Sequence, residues 1–218
     1  MSKKKLILFN LNGSLLMSND RVIMFWCDAI RNTGLQPNYG IIFQKFNESF
    51  EETIIPLLVE AGSWTDLQTQ RVIEHAKKIF HDENISCSVG LTAKIKALKT
   101  AGYTLGIITS QSSKYLAKSL LNIGLNKDIF TIVKTSDDGI KKPDPRVFDS
   151  ALELFKAEEI IFVGNCPHQD LAPVSKRGIS FAAITSKSNP KALFAALGVA
   201  DELIYKSVIE FIDDFLQK

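Results

Sequence analysis

Cysteine is scarce in this chain: three in 218 residues, at Cys27, Cys87 and Cys166. An odd number so widely scattered excludes a disulfide framework and suits reduced thiols. Long apolar runs are also missing. The first, Leu6 to Phe9, is too short for a signal peptide or a membrane span. Neither sign of charge is in excess, with 26 Lys and Arg against 24 Asp and Glu, a net charge of +2. That balance gives no electrostatic footing for nucleic acid or a membrane surface. The Lys3-Lys4-Lys5 run reads as solvated charge guarding the apolar strand behind it from edge pairing. There is no internal repeat, low-complexity segment or Gly/Ser linker. The expected setting is the cytoplasm.

What is present is an ordinary globular composition. Hydrophobic residues make up 45% of the chain, enough for a sizeable core. The length suits a core domain with a smaller insert. Leu6 to Phe9 is continuously apolar, as in a strand buried on both faces of a parallel sheet. From Met17 to Ser88 nothing alternates like a strand. Helices are expected over Asp20–Ile30, Thr53–Ala61 and Asp66–Phe80, with Ser63 capping the last and Asp66 three residues on. In this segment Phe25, Trp26, Phe43 and Phe46 read as core, and His75 and His81 as solvated surface.

Beyond Ser88 strands and helices alternate. Strands are expected at Thr104–Ile108, Phe130–Val133, Ile160–Val163, Ser180–Ile184 and Glu202–Ile204. Helices are expected at Leu91–Ala101, Lys114–Asn122, Pro145–Phe155 capped by Asp144, Leu171–Arg177, Pro190–Leu197 and Val208–Leu216. This alternation predicts an α/β fold: a doubly wound, Rossmann-like parallel sheet over 1–16 and 89–218, with an all-helical cap inserted over 17–88. Sites in such sheets form beyond the carboxyl ends of the strands.

Four segments occupy those ends: Asn10-Leu11-Asn12-Gly13-Ser14, Thr109-Ser110, Lys141-Lys142-Pro143-Asp144, and Gly164-Asn165-Cys166-Pro167-His168-Gln169-Asp170. Hydroxyl, ammonium and turn N–H groups together suit an anion such as phosphate. Each piece alone has a plainer reading. Asn12-Gly13 is an ordinary turn and a deamidation-prone pair, Lys142 a solvated charge, Thr109 a cap. A thiolate at Cys166 beside His168 would be a nucleophile or soft-metal ligand, but Pro167 stiffens that loop.

Taken together and in order, the four segments resemble the motifs of the haloacid-dehalogenase-like superfamily, phosphoglycolate-phosphatase-like branch. Asn10-x-Asn12-Gly13-Ser14 is similar to that family's Asp-x-Asp-Gly-Thr loop. Thr109 matches its phosphoryl-binding hydroxyl and Lys142 its phosphate-neutralising lysine. Asn165 through Asp170 matches its Gly-Asp loop with a second acid five residues on, and Asp137-Asp138 the acidic pair before the lysine. Asn47, Glu48 and Ser49 fall where relatives carry a substrate-selecting cap loop. The resemblance implies a nucleophile at position 10, an acid/base at 12, phosphate held by Leu11, Asn12, Thr109, Ser110 and Lys142, and magnesium held at Asn10, Asn12, Asn165 and Asp170.

Three of those acids are amides here. A neutral amide is a poor nucleophile toward phosphorus. It cannot shuttle protons, a contribution worth roughly 10²–10⁴ in rate. Magnesium prefers anionic oxygen. The only charges left are Asp170 and Lys142, which cancel. The expectation is a catalytically impaired or inactive phosphatase relative that binds phosphate or a small phosphorylated ligand and requires no cofactor, magnesium binding being weak or absent. Two alternatives stay open: an active phosphomonoester hydrolase with an atypical site using Asp170 or Asp138 for a metal, and a protein-interaction module with a vestigial pocket.

Overall fold

In a computed structural model the described residues are 4–16, 19–45, 50–82 and 87–217. They fall into two compact units, 1–18 with 85–218, and 19–84.

The larger unit is built on six parallel strands: β1 (Leu6–Phe9), β2 (Thr104–Ile108), β3 (Ile132–Lys134), β4 (Ile160–Gly164), β5 (Ser180–Ile184) and β6 (Ile204–Tyr205). Their order is β3-β2-β1-β4-β5-β6. β1 lies between β2 and β4, with Phe9 opposite Ile107 on one side and Val163 on the other. All four of its side chains are buried, which is why it reads as an unbroken apolar run. Alternation splits the phenylalanines between two faces. On one, Phe148, Phe162, Phe181 and Phe194 pack in sequence at centroid distances of 5.4, 6.3 and 6.1 Å. On the other, Phe9 meets Phe211 of the final helix, Val208–Leu216.

Departures from the sequence reading have local causes. β3 begins at Ile132 because Asn126 caps a 3₁₀ turn at Lys127–Ile129, and β6 begins at Ile204 because Asp201–Leu203 is another. The helix expected over Pro145–Phe155 is a 3₁₀ turn, Pro145–Phe148, followed by one α-helical turn, Asp149–Leu152; Asp144 is its cap, accepting from the Arg146 N–H at 2.9 Å. Lys4 is not simply solvated: its ammonium donates to the Glu158 and Ile160 carbonyls and to Ser180 Oγ, tying the chain to the edges of β4 and β5.

The smaller unit is helical in its described residues: Asn19–Arg31, Tyr39–Lys45, Ile55–Gly62 with a wide turn at Phe50–Ile54 before it, and Asp66–Asp82. Ile23, Trp26, Cys27, Ile30, Ile42, Ile54, Leu58 and Val72 form its core. Tyr39–Lys45 escaped the sequence reading, being too short for a helical period to show. Phe43 on it is exposed and not core. Ser63 is not the cap of Asp66–Asp82. It ends the preceding helix in a left-handed conformation, and the cap is Thr65, whose hydroxyl accepts from Gln68 N–H while Gln68 Oε1 accepts from Thr65 N–H at 2.8 Å. His75 is half-buried. Phe46, Asn47, Glu48 and Ser49 lie outside the described residues, and His81's side chain is likewise outside them.

Candidate functional site

The strand order reverses direction between β1 and β4, the place where an open parallel sheet leaves a crevice. Asn10 follows the last residue of β1 and Asn165 the last of β4, and the Asn10 N–H donates to the Val163 carbonyl at 2.8 Å. Past Asn10 the chain folds on itself. Leu16 N–H donates to Leu11 O, and Gly13 N–H to Leu16 O, with Gly13 at φ 81°. Only glycine takes that conformation cheaply.

Four side chains meet in the crevice. Asn10 Nδ2 donates to the main-chain oxygen of Asn12 at 2.8 Å and to Asn165 Oδ1 at 2.7 Å. Asn10 Oδ1 accepts from Lys142 Nζ at 3.0 Å. Lys142 Nζ also donates to Asp170 Oδ1 at 2.5 Å, an ion pair whose side chains are 3% and 0% exposed. The Asn10 amide has one consistent orientation: lysine can only donate and a carbonyl can only accept, so its oxygen must face Lys142 and its nitrogen Asn12.

Asp170 returns to the end of β4 through a wide turn, Pro167–Leu171. Its second oxygen accepts the N–H groups of Asn165 at 2.9 Å and Cys166 at 3.0 Å. Gly164 leaves room for this, since a Cβ there would sit 2.8 Å from Asp170 Cβ and from Phe181. Ser14 Oγ donates to Asn165 Oδ1 at 2.9 Å, and the fully buried Asn189 donates through Nδ2 to the Asn165 carbonyl at 2.8 Å. Tyr115 OH donates to Asn12 Oδ1 at 3.2 Å, and burial holds that phenol above its usual range, so it stays protonated.

The groups left over are donors. Among the described residues, the main-chain N–H groups of Leu11, Asn12 and Ser110 have no partner, and Asn12 Nδ2 is buried without one. The Lys142 ammonium has three N–H bonds, two of them taken by Asn10 and Asp170. Thr109, buried at the end of β2, accepts the Gln111 N–H through its hydroxyl at 3.1 Å. A ligand that satisfied this set would have to bring acceptor oxygens.

Magnesium fits the present side chains poorly. It wants hard oxygen ligands in an octahedron. Here an amide nitrogen faces the two most convergent oxygens, those of Asn12 and Asn165, and both oxygens of Asp170 are engaged. No group of three or more His, Cys, Asp or Glu residues that could hold a metal ion occurs among the described residues. Asp137 and Asp138 are occupied as caps: Asp137 accepts from Ser113, and Asp138 from Thr135 N–H at 2.7 Å.

Cys166 is buried, and desolvation together with the Asp170 charge pushes its thiol up to about 12, which leaves it an unreactive thiol. His168 is exposed. A groove of about 290 Å³ opens beside the first loop, but it meets that loop from Gly13 to Leu16 and reaches neither Thr109 nor Lys142. The sequence reading missed Ser14, Tyr115 and Asn189 as parts of the network. Ser14 lay inside a recognised motif and was findable there. Asn189, in a Ser-Asn-Pro turn, carries no local signal.

Residues 7–191 match the profile of a family described as haloacid dehalogenase-like hydrolase. A pyrophosphatase, PpaX, of Bacillus cereus is 29% identical over 82% of each chain. A glyceraldehyde 3-phosphate phosphatase of Pyrococcus furiosus is 38% identical over 38% of this chain and 35% of its own. Among solved structures, one described as a predicted phosphoglycolate phosphatase from Haemophilus somnus superposes with a TM-score of 0.74 at 16% identity, over 98% of this chain and 99% of the other. A hydrolase from Pseudomonas syringae gives 0.73 at 19%, over 96% and 97%.

Proposed function

Because the chain belongs to the haloacid dehalogenase-like hydrolases, on their phosphatase branch, we propose that its β1–β4 crevice recognises the phosphate group of a small phosphorylated compound. One observation carries the reading. The unsatisfied groups of Leu11, Asn12 and Ser110 are all N–H donors, next to a buried ammonium. Phosphate supplies acceptor oxygens and the opposite charge, and neutral amides in place of acids spare it the repulsion that a metal would otherwise have to offset.

In this reading Lys142, Thr109, Ser110 and the loop N–H groups hold the anion and magnesium is not required. Asn10 and Asn12 stand where a nucleophile and an acid/base would act, so magnesium-dependent turnover is lost or very low. A second reading is an active phosphomonoester hydrolase with an atypical site. The names of the relatives, pyrophosphatases and a glyceraldehyde 3-phosphate phosphatase, favour it over loss of activity.

Two measurements separate the readings. The first is calorimetric titration with inorganic phosphate and small phosphate monoesters in a chelator. The second is a phosphatase and pyrophosphatase assay with and without magnesium. Binding without turnover supports the first reading. Turnover at a relative's rate, abolished by Asp170→Asn, establishes the second. Neither binding nor turnover, with Lys142 and Thr109 variants behaving as wild type, leaves an interaction module with a vestigial pocket.

A further inference from the structure

The position of the Asn10 side chain shows how the crevice holds together without a metal. Two oxygens converge on one point, the Asn12 carbonyl and Asn165 Oδ1, and the latter also accepts from the Ser14 hydroxyl. Two acceptors brought so close repel unless something positive lies between them. A cation would serve in many proteins. Here the two hydrogens of Asn10 Nδ2 point one at each oxygen, at 2.8 and 2.7 Å. The nitrogen stays in place because its partner oxygen is held by Lys142 at 3.0 Å, and Lys142 is held by Asp170. The chain of contacts is polar from end to end: Asp170 to Lys142 to Asn10, and from there to the ends of both strands.

We propose that the Asn10 carboxamide nitrogen takes the place of a resident cation, and that Asn10→Asp by itself turns the crevice into a divalent-cation site. An aspartate there would put a third bare oxygen against Asn12 O and Asn165 Oδ1. It would also change the formal sum of residues 10, 142 and 170 from zero to −1. Both changes ask for a cation at the point the nitrogen now fills. The proposal deepens the reading of this crevice as a metal-independent phosphate site. It is tested with no phosphate present, so its failure and the failure of that reading are distinguishable.

A second substitution separates the nitrogen from the charge. Asn165→Asp adds the same negative charge to the same crevice but leaves Asn10 Nδ2 where it is, now donating to a carboxylate. If charge alone governed cation binding, the two variants would respond alike. If the nitrogen fills the position, only Asn10→Asp responds.

The experiment is a magnesium chloride titration of wild type, Asn10→Asp and Asn165→Asp by calorimetry, with thermal unfolding in magnesium and in chelator. Expected is no magnesium response in wild type or Asn165→Asp. Asn10→Asp should bind magnesium more than about tenfold tighter than either, and its unfolding temperature should fall in chelator and recover with the metal. Equal responses of the two variants overturn the proposal, as does magnesium binding by wild type. If Asn10→Asp fails to fold in chelator, refolding it in magnesium decides the matter: recovery supports the proposal and no recovery overturns it.

Discussion

Replacing Lys142 by methionine tests how the buried network is held. The ammonium and the Asp170 carboxylate are 2.5 Å apart and 3% and 0% exposed. Their gross attraction at an effective dielectric of about 20 is about 6–7 kcal/mol. Most of that is balanced by the cost of removing both ions from water, so the pair adds little net stability. Deleting one partner is different, because Asp170 is left charged and buried; such deletions cost about 3–5 kcal/mol. Asp170 retains two main-chain donors, Asn165 at 2.9 Å and Cys166 at 3.0 Å, which places Lys142→Met near the lower end, about 3 kcal/mol. In a chain of this length that is about 6–12 °C in unfolding temperature. The double variant Lys142→Met with Asp170→Asn removes both charges and should be more stable than the sum of the two single losses predicts. Thermal and urea unfolding of the four proteins provides the cycle. A Lys142→Met protein within about 1 kcal/mol of wild type, or strictly additive losses, would refute the reasoning.

Two further outcomes follow from the same loop. Burial raises the Cys166 thiol to about 12, so in the folded protein it should resist alkylation that proceeds readily once the chain is unfolded. The sign for stability follows, because a raised pKa favours the protonated native form. The contribution is whole below pH 9.0 and is lost as pH rises through 12, and alkaline unfolding of Cys166→Ser should lack that part of the pH dependence. Asn189→Ala removes a donor to the buried Asn165 carbonyl, at a cost of about 1–3 kcal/mol by urea unfolding. A neutral substitution there would mean the loop holds itself.

Much of this was legible in the sequence. β1, β2 and β5 fall where unbroken apolar runs put them, because a strand buried on both faces has no polar side to blur its ends. The edge strands were misplaced by two residues each at their starts, since Phe130 and Thr131 only lead out of the turn at Lys127–Ile129 and Glu202 and Leu203 belong to the turn at Asp201–Leu203. At the site, the motif order identified Asn10, Asn165, Lys142 and Asp170, which the structure joins in one network. The direction of the Asn10 amide was not legible. It depends on which neighbours donate and which accept, and only three-dimensional placement supplies that.

The central place of β1 has a consequence for the chain as it is made. Leu6 finds its first sheet partner at Thr104 and its second at Ile160. A ribosome adding about 5–20 residues per second leaves the apolar segment Leu6–Phe9 without either neighbour for roughly 5–20 s. During that interval the helices of 19–84, whose contacts are nearer in sequence, can already form. Lys4 and Lys5 precede the waiting segment, and their charge opposes association between nascent chains. The crevice comes late, because Asn10 meets Asn165 only after the chain has been synthesised past β4.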